Sequence, residues 1–304
     1  MKKIFFVLFL VVSVCMNIQA ETFNLATYNI RNANKGDSLA GNGWGQRYPY
    51  IAKLIQFHDF DIFGTQEGKY NQLEDLKKAL PGFDYIGVGR EDGKKGGEFS
   101  AIFYKQSRFK MLDHGDFWLS ETPNKPGLGW DAACIRICTW GKFKDKKTGH
   151  VFLYYNLHMD HVGVKARSES AKLILKKIQE LPKGVSAILS GDFNVDQNNE
   201  SYKLLNTSNI LEDSYVKADF RYEPNGTFNN FLPDRFTTQR IDHIFLTKDF
   251  SVYRYGILTD SYRSEKKETV VEKSGNFPKE TQLMKYDARM PSDHFPVMVV
   301  VEIK

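Results

Sequence analysis

Three polar residues alternate in the segment YNLHMD: Asn156, His158 and Asp160. Side chains two residues apart on a β-strand point to the same face, so these three share one face if the segment is a strand. The apolar residues between them would then face the core. A polar face at the end of a strand predicts a functional site, and the alternative is an ordinary solvated strand face.

A second polar group follows the apolar run VSAIL, in the segment SGDFNVD. Asp192 and Asn194 would emerge at the carboxyl end of this strand, where α/β sheets place their ligands. Gly191, just before them, permits a close approach of the backbone. The alternative is an Asx-turn, in which the Asp192 side chain accepts a hydrogen bond from its own backbone.

Two further segments bring a histidine together with carboxylates. SDHFPV holds Asp293 and His294 just before the last apolar run, and RIDHIF holds Asp242. A carboxylate that accepts a hydrogen bond from one imidazole nitrogen fixes the tautomer and raises the basicity of the ring. Either aspartate is expected to do this for His294. His243 should face away from the Asp242 side, because neighbours in a strand alternate.

Two candidate metal ligands lie at the ends of early strands. Asn29 ends the first strand-like run, and Glu67 follows the apolar run DIFGTQ. Carboxylate and amide oxygens suit Mg²⁺, which keeps several of its waters. The alternative for Glu67 is an exposed side chain that caps the helix after it.

The elements that must position these residues alternate between strand and helix in the first half of the chain. Further on, several strand-like runs follow one another directly, among them DAACIRICTW. Apolar residues at three- and four-residue spacing predict a helix over 163–181. Adjacent strands without intervening helices imply mixed sheets with helices outside them. We therefore predict a layered α/β sandwich rather than a doubly wound Rossmann fold.

Composition limits the class of protein. A chain of 304 residues with 41% hydrophobic and 26% charged residues is globular, which excludes disordered, collagen-like and coiled-coil chains. The sequence has no internal repeat or linker after its first twenty residues, so one domain over 21–304 is expected. The net charge of +5 is spread along the chain and is too small to indicate a nucleic-acid partner by itself.

The first twenty residues have the pattern of a secretory signal peptide. Lys2 and Lys3 precede an apolar run over 4–14, and the small residue Ala20 precedes Glu21. The run is too short for a membrane anchor, and no later run reaches the ~18 apolar residues of a membrane span. We predict cleavage after residue 20 and export to the periplasm or the exterior. Lipid attachment at Cys15 is the alternative.

Export permits disulfides, and two cysteines remain after cleavage, Cys134 and Cys138. Four residues of strand separate them by about 13 Å, which exceeds the ~7 Å limit for a disulfide. Both are therefore predicted to be buried free thiols, and no Cys/His cluster in the sequence indicates zinc.

Six motifs occur in a defined order: YNIR, GTQE, NLHMD, SGDFN, RIDHIF and SDHFPV. Together they resemble the signatures of the endonuclease/exonuclease/phosphatase superfamily, over about 24–301. The stretches FSAIFYK and FWLSETP…GWDAACIRICTWGKF resemble a secreted bacterial branch, and the His-x-Asp form of NLHMD is similar to sphingomyelinase-like and deadenylase-like branches. The resemblance implies a four-layer α/β sandwich of two mixed β-sheets flanked by helices, with the site at the mouth between the sheets.

The resemblance also implies a role for each matching residue. Glu67 would be the main metal carboxylate with Asn29 beside it, and Asp293 would reach a metal or steady its neighbour. Asp192 would orient and deprotonate the attacking water, and Asn194 would contact the phosphate. The remaining catalytic residues are two phosphate-binding histidines and the aspartate that orients the second of them: His158, His294 and Asp242. Asn156 and Asp160 are possible additional site residues.

The expected function is hydrolysis of a phosphoester by in-line attack of water. A divalent ion, imidazoles and an amide can stabilise the negative charge that grows on the phosphoryl oxygens, and a carboxylate can act as the base. Mg²⁺ is the expected cofactor, with Mn²⁺ as an alternative, and a phosphodiester is the expected substrate class. The alternatives are a nuclease on DNA or RNA and a non-catalytic binding module. A Ser–His–Asp esterase ranks last, because the sequence has no GxSxG after a strand.

The loop GREDGKKGGEFS, with Arg90 and Glu98, is expected to border the site. Trp118, Trp130 and Arg136 could line a pocket, but core aromatic residues and a surface ion pair are the favoured interpretation.

Overall fold

The computed structural model describes residues 21–265, 271–272 and 278–304. Over these ranges the chain forms six helices and 19 strands. The helices are α1 (Lys35–Leu39), α2 (Trp44–Phe57), α3 (Tyr70–Ala79), α4 (Val164–Gln179), α5 (Glu200–Asn206) and α6 (Ser214–Lys217). The strands are β1 (Phe23–Asn29), β2 (Ile62–Gln66), β3 (Gly68–Lys69), β4 (Phe83–Ile86), β5 (Glu98–Phe99), β6 (Ile102–Lys105), β7 (Phe109–Trp118), β8 (Ile137–Asp145), β9 (Val151–His158), β10 (Ser186–Asp192), β11 (Glu212–Asp213), β12 (Phe220–Tyr222), β13 (Asp242–Leu246), β14 (Phe250–Ile257), β15 (Tyr262–Ser264), β16 (Val271–Glu272), β17 (Leu283–Met284), β18 (Asp287–Arg289) and β19 (Val297–Ile303).

Two mixed sheets form the centre of the molecule. The seven-stranded sheet has the order β12-β14-β19-β1-β2-β6-β4, and the six-stranded sheet has the order β11-β13-β10-β9-β8-β7. Each sheet contains a parallel pair near its middle, β1 with β2 and β9 with β10. Their next neighbours, β19 and β13, run antiparallel to them. The carboxyl ends of both parallel pairs can therefore lie together at one edge of the molecule.

The two sheets pack face to face, and helices cover both outer faces. Phe23 and Leu25 of β1 share one buried cluster with Phe152 and Tyr154 of β9, so this core lies between the sheets. A second core packs α4 and α5 on the six-stranded sheet, and a third packs α2 and α3 on the seven-stranded sheet. The predicted four-layer α/β sandwich of two mixed sheets flanked by helices is confirmed.

Burial follows from this layering. All seven residues of β10 are buried, because one face of the strand meets the other sheet and the opposite face meets helices. On α4, Ala171, Ile174 and Ile178 of the predicted apolar face are buried, whereas Val164, also predicted on that face, is exposed in the first turn. The helix begins and ends within two residues of its predicted limits. The strand β10, which leads to Asp192, is therefore held in the core along its whole length.

The run DAACIRICTW is a strand only in part, which corrects the prediction. Strand β8 begins at Ile137, because the backbone N–H groups of Ala133 and Cys134 donate to the Asp160 carboxylate at 3.1 Å and not to a neighbouring strand. Among the described residues Cys134 and Cys138 are both free thiols, as predicted. Cys138 is buried, but Cys134 is partly exposed, because it lies in the loop.

The predicted signal peptide, residues 1–20, lies outside the described residues. In the part of the chain that the structure covers, no helix combines the length and the apolar character needed to span a membrane.

Candidate active site

Polar side chains from both sheets meet where the parallel pairs end. In the six-stranded sheet, His158 is paired with Asp192, and Asp192 with Asp242, so these three form one row across neighbouring strands. In the seven-stranded sheet, Asn29 is the last residue of β1. The side-chain amide of Asn29 donates to Asp192 Oδ2 at 3.0 Å. The two sheets therefore bring their polar ends together at Asp192.

The two carboxylate oxygens of Asp192 have different surroundings. Oδ1 accepts the backbone N–H of Asn194 at 2.9 Å, which is the Asx-turn that the sequence left open as an alternative. Oδ2 accepts from Asn29 and lies 3.4 Å from His158 Nε2 and 3.8 Å from His294 Nε2. The turn and a chemical role are thus compatible, since one oxygen holds the turn while the other faces two imidazoles.

Asp242 is the carboxylate that orients His294. Their atoms Oδ2 and Nδ1 lie 2.9 Å apart, and both side chains are buried. This contact leaves His294 Nε2 directed toward Asp192. His243 faces the opposite side of β13, as predicted, and its Nε2 lies 3.0 Å from the carbonyl oxygen of Val195.

The buried groups around Asp192 differ in protonation. Burial, with repulsion from Asp242, raises the pKa of Asp192 to about 7. Burial lowers the pKa of His158 well below its ordinary value, and the charge of Arg136 adds to the effect. Burial acts in the same direction on His294, but the carboxylates of Asp242 and Asp192 outweigh it and hold the pKa of His294 well above its ordinary value. At neutral pH, a neutral and a cationic imidazole therefore flank one carboxyl group.

Glu67 follows β2 and is held by amide donors. Its Oε1 accepts from Asn29 Nδ2 at 3.1 Å, and its Oε2 accepts from the backbone and side-chain amides of Asn32 at 3.1 and 2.9 Å. Burial alone would raise the pKa of Glu67, but attraction from His294 and these hydrogen bonds outweigh it and lower the pKa. Glu67 is therefore an ionised carboxylate inside the site and not an exposed helix cap.

The oxygen atoms around Glu67 fit a hard divalent cation. Asp293 is buried, and burial raises its pKa; repulsion from Glu67 acts in the same direction. The two carboxylates offer the oxygen ligands that Mg²⁺ prefers. Asn29 could add the second lone pair of its amide oxygen, which accepts the backbone N–H of Arg31 at 3.0 Å. A divalent cation between the two carboxylates would remove their repulsion.

Two groups of histidine, cysteine and carboxylate side chains in the described residues bring their metal-ligand atoms within 4.8 Å of one another. One consists of Asp192, Asp242 and His294, in which the Asp242–His294 hydrogen bond already occupies Nδ1 of the imidazole. The other consists of Cys134, Asp160 and His161, in which both oxygens of Asp160 already accept backbone hydrogen bonds. Glu67 and Asn29 are held by hydrogen bonds in the same way, whereas Asp242 Oδ1 is a buried oxygen without a hydrogen-bond partner among the described residues.

Glu67, Asp192, Asp293 and the two imidazoles line one cleft of about 390 Å³, and Asn29, Asp160 and Asp242 lie behind its wall. Its wall includes four carboxylates and three guanidinium groups: Glu67, Glu98, Asp192, Asp293, Arg31, Arg90 and Arg136. With a cationic His294, these formal charges balance when all four carboxylates are ionised. A doubly charged phosphate would therefore be attracted chiefly when a divalent cation is also bound. The wall is completed by Asn32, Cys134, His158, His161, Asn194, Phe228, Asn230 and His294.

Four residues of the cleft have left-handed backbone conformations: Arg31, Glu67, Asn194 and Asn230 have φ between 51° and 64°. Such a conformation costs an ordinary residue about 1–2 kcal/mol. The packed strands on either side must compensate for this cost. Strain of this kind concentrates at functional sites, where it directs side chains into a cleft.

Asn156, expected as a possible additional site residue, lies outside the cleft. It is buried between the sheets, where its Nδ2 donates to the carbonyl oxygens of Thr65 and Ala101 at 2.9 and 3.0 Å. Its Oδ1 accepts from Gln66 Nε2 at 2.7 Å. The same strand face that carries His158 to the mouth therefore uses Asn156 to join the two sheets.

Asp160, the second possible additional residue, is a loop anchor. Its carboxylate accepts the backbone N–H groups of Ala133, Cys134, Val162 and Gly163. It also accepts from Arg136 Nε at 3.3 Å. This pairing places Arg136, which was expected in a surface ion pair, in the wall of the cleft. Asp160 therefore acts on the site only through the loop and Arg136.

Several cleft residues were not predicted from the sequence. Arg31 is the last residue of the YNIR motif that holds Asn29, and Asn32 follows it, so this motif carried a signal for that part of the cleft. Phe228 and Asn230 lie in a loop without periodicity, and a β-bridge between Phe228 and His294 brings them to the mouth. Cys134, which was predicted to be a buried free thiol, and His161 also line the cleft.

The fold is that of a known family. The chain belongs to the Endonuclease/Exonuclease/phosphatase family, whose sequence model matches residues 26–294. Among solved structures, it is similar to a mannosyl-6-phosphatase from Bacteroides thetaiotaomicron, with 56% identity, a TM-score of 0.85 and coverage of 92% of this chain and 99% of that one. It is also similar to an endonuclease/exonuclease/phosphatase family protein from the same organism, with 55% identity, a TM-score of 0.87 and coverage of 94% and 99%.

A more distant likeness is to human tyrosyl-DNA phosphodiesterase 2, with 26% identity over 173 residues. That match spans 57% of this chain and 42% of the human protein.

Proposed function

We propose that the protein is a divalent-metal-dependent hydrolase that removes phosphate from a phosphorylated sugar. The observation that carries this proposal is the setting of Asp192, a buried carboxyl between two imidazoles of different protonation, in a cleft that also holds three arginines. Family membership supports phosphoester hydrolysis. The name of the 56%-identical mannosyl-6-phosphatase supports a sugar phosphate as the substrate.

Asp192 is the proposed base. A water molecule attacks phosphorus in line with the leaving oxygen, and its proton passes to Asp192 Oδ2. The bond between phosphorus and the sugar oxygen breaks, and that oxygen takes up a proton from solvent water and leaves as the sugar hydroxyl group, while inorganic phosphate is released. A carboxylate with a pKa of about 7 suits this task, because a base works best when its pKa lies near the working pH.

The imidazoles and an amide are proposed to bind the phosphoryl group. A cationic His294, held in place by Asp242, offers positive charge to the non-bridging oxygens as negative charge grows on them. The amide of Asn194 lies 3.1 Å from His158 Nε2 and donates to the carbonyl oxygen of Met159 at 3.0 Å. These contacts position Asn194 and His158 together beside Asp192.

Glu67, Asn29 and Asp293 are the residues that would hold the metal ion, which we propose to be Mg²⁺, with Mn²⁺ as the alternative. When bound, the ion supplies positive charge to the phosphoryl oxygens and balances the carboxylates of the cleft.

A phosphate monoester suits this cleft better than the diester that the sequence favoured. A terminal phosphate carries a charge of about −1.5 to −2 at neutral pH, whereas a diester carries a single negative charge. The cationic His294 and a divalent ion together favour the more highly charged group. The likeness to human tyrosyl-DNA phosphodiesterase 2 supports a diester or nucleic-acid substrate as the second candidate, but it covers less than half of that protein.

The test is a substrate comparison with residues 21–304. Mannose 6-phosphate, p-nitrophenyl phosphate, bis-p-nitrophenyl phosphate, DNA, RNA and sphingomyelin are each assayed with Mg²⁺, with Mn²⁺ and with EDTA. We expect kcat/KM to be at least ~10-fold higher for the monoesters than for the diesters. EDTA should abolish turnover, and added Mg²⁺ should restore it. A preference for a diester or a nucleic acid would contradict the proposed substrate class, and no turnover with any ester would support a binding module instead.

We further propose that residues 1–20 are a cleaved signal peptide and that residues 21–304 form the exported domain, in the periplasm or outside the cell. The basic start, the apolar run over 4–14 and Ala20 support this proposal. A protein of the secreted bacterial branch would be expected to have this organisation.

A further inference from the structure

One side of the cleft is not used by the proposed phosphoryl chemistry. Asn32 links it to the metal-binding side, because its Nδ2 donates both to Glu67 Oε2 at 2.9 Å and to Glu98 Oε1 at 3.1 Å. Glu98 therefore lies one amide group away from Glu67. The leaving group of a phosphate ester bound beside Glu67 would therefore extend toward Glu98.

Glu98 is held in place by hydrogen bonds and by the loop that carries it. Its Oε2 accepts from Arg90 Nη1 at 2.5 Å, and the two side chains are only 16% and 14% exposed. The backbone N–H of Arg90 donates to the Glu98 carbonyl oxygen at 3.0 Å, and Trp118 Nε1 donates to the Arg90 carbonyl oxygen at 2.6 Å. The intervening loop is closed tightly, since a Cβ at Gly89 would lie 2.2 Å from the Gly96 carbonyl oxygen. This loop therefore fixes the position of the Arg90–Glu98 ion pair.

Arg136 adds a second guanidinium to this side of the cleft. It is 5% exposed, with Nε 3.3 Å from Asp160 Oδ2 and Nη2 3.0 Å from His161 Nδ1. Arg90, Glu98 and Arg136 thus offer fixed donors and a fixed acceptor in one wall, which we name the polar wall. Phe228 also lines the cleft, with its ring 5.1 Å from the imidazole of His294, and it adds an apolar surface.

We infer that the polar wall, formed by Arg90, Glu98 and Arg136, binds the hydroxyl groups of a sugar leaving group and so selects the substrate. This inference rests on the proposed phosphatase function and deepens it. A sugar hydroxyl both donates and accepts a hydrogen bond, so a carboxylate beside guanidinium groups matches adjacent hydroxyls. Nucleic-acid phosphates only accept, and the carboxylate of Glu98 would repel them. An aromatic ring can contact the apolar C–H face of a sugar, as ligand clefts combine apolar surface with a few polar groups.

The test compares two monoesters that share the reacting phosphate. Mannose 6-phosphate has hydroxyls on its leaving group, and phenyl phosphate has none. In Glu98→Gln, we expect kcat/KM for mannose 6-phosphate to fall at least about 10-fold more than kcat/KM for phenyl phosphate. The reason is that the variant lacks the carboxylate that accepts a hydrogen bond from a sugar hydroxyl, and phenyl phosphate makes no such bond. Arg90→Gln should shift the ratio in the same direction. Glu91→Gln, an exposed carboxylate in the same loop, should leave the ratio as it is.

The Mg²⁺ requirement and the melting temperature of each variant distinguish the ways in which the inference could fail. An equal loss on both esters in Glu98→Gln, with a raised Mg²⁺ requirement, would mean that Glu98 acts through Asn32 on Glu67, and the inference would be wrong. Equal kcat/KM ratios in the parent, Glu98→Gln and Arg90→Gln would also contradict it. If the parent protein does not hydrolyse mannose 6-phosphate but hydrolyses other esters, the proposed sugar substrate fails, and the inference fails with it. Melting temperatures of each variant identify any loss of folding.

Discussion

Burial and neighbouring charges together decide the protonation of individual residues at the mouth of this sandwich. His158 and His294 are both buried, yet the pKa of His158 lies below its ordinary value and that of His294 lies above it. The difference follows from their partners, since the charge of Arg136 lowers the pKa of the first ring further, whereas Asp242 is hydrogen-bonded to the second ring and raises its pKa. Asp192 between them acquires a pKa of about 7. At neutral pH, the site therefore combines a neutral imidazole at His158, a cationic imidazole at His294 and a carboxyl group at Asp192 that titrates near this pH.

His294 and Asp242 should act as one unit. Removing either partner in His294→Gln or Asp242→Asn should lower kcat about 10²–10³-fold, the cost of losing one charge-stabilising donor. The double variant should be little worse than the worse single variant, because groups that act together are non-additive. Steady-state kinetics on all three variants measures this, with His114→Gln as an exposed control. Losses that multiply fully in the double variant would show that the two residues act independently.

Glu67→Ala should abolish Mg²⁺-dependent turnover while the protein stays folded. The side chain is held by Asn29 and Asn32 at the end of a strand, so its removal disturbs little of the core. Calorimetric titration with Mg²⁺ should show weakened binding, and circular dichroism should show a parental fold. Glu180→Ala, at an exposed helix end, is the control. Parental Mg²⁺ binding and turnover would exclude Glu67 as a ligand.

Periodicity predicted the elements that end at the site, because strand alternation and buried helical faces are local properties of the sequence. It predicted that Asp192 lies at the end of a strand and that His243 and Asp242 face opposite sides of theirs, and the structure shows both. It could not separate Asn156 from His158, since both share one face and only the opposite sheet decides which is covered. It also extended β8 too far, because the Asp160 carboxylate that takes the backbone N–H groups of that segment lies on another element.

The loop before β8 should depend on Asp160 for its stability. Asp160→Asn removes the charge and one of two oxygens that together accept four backbone N–H groups, and should cost about 2 kcal/mol at pH 7. Burial alone would raise the pKa of Asp160, but hydrogen bonds from Gly163 and its neighbours hold it below its ordinary value. The stabilisation is therefore complete above the unfolded pKa of about 3.9 and is lost as the pH falls toward the folded pKa.

Urea unfolding of the parent and of Asp160→Asn at pH 7 and at pH 3 measures this effect. The difference in unfolding free energy should shrink at the lower pH, while Asp234→Asn, an exposed carboxylate, should show little difference at either. An equal difference at both pH values would argue against an ionised Asp160 as the anchor.

At the scale of the whole molecule, the site exists only because two sheets are stacked. Asn29 and Asp192 are 163 residues apart in the chain and lie in different sheets, yet they are hydrogen-bonded at 3.0 Å. The order of six motifs predicted this meeting point through the resemblance to a family. Arg136 and Phe228 reach the cleft through loops whose paths depend on tertiary contacts, so the sequence did not predict that they line it.

The exported form should begin near Glu21. The basic start and apolar run of residues 1–20 predict cleavage after Ala20. Mass spectrometry of protein recovered from the periplasm or the medium of an expressing bacterium measures the new terminus. Retention of residues 1–20 would contradict the prediction, and an added lipid mass at Cys15 would support the alternative.

The central claim is that Asp192 is the base of a phosphoester hydrolase, and the most direct test is kcat for Asp192→Asn at saturating Mg²⁺ and mannose 6-phosphate. Asparagine keeps the size and the Asx-turn oxygen but has no comparable basicity. The proposed mechanism predicts a fall in kcat of about 10²–10⁴-fold, with KM, Mg²⁺ binding and melting temperature close to the parental values. A kcat near the parental value would show that Asp192 only holds the turn and that the base lies elsewhere.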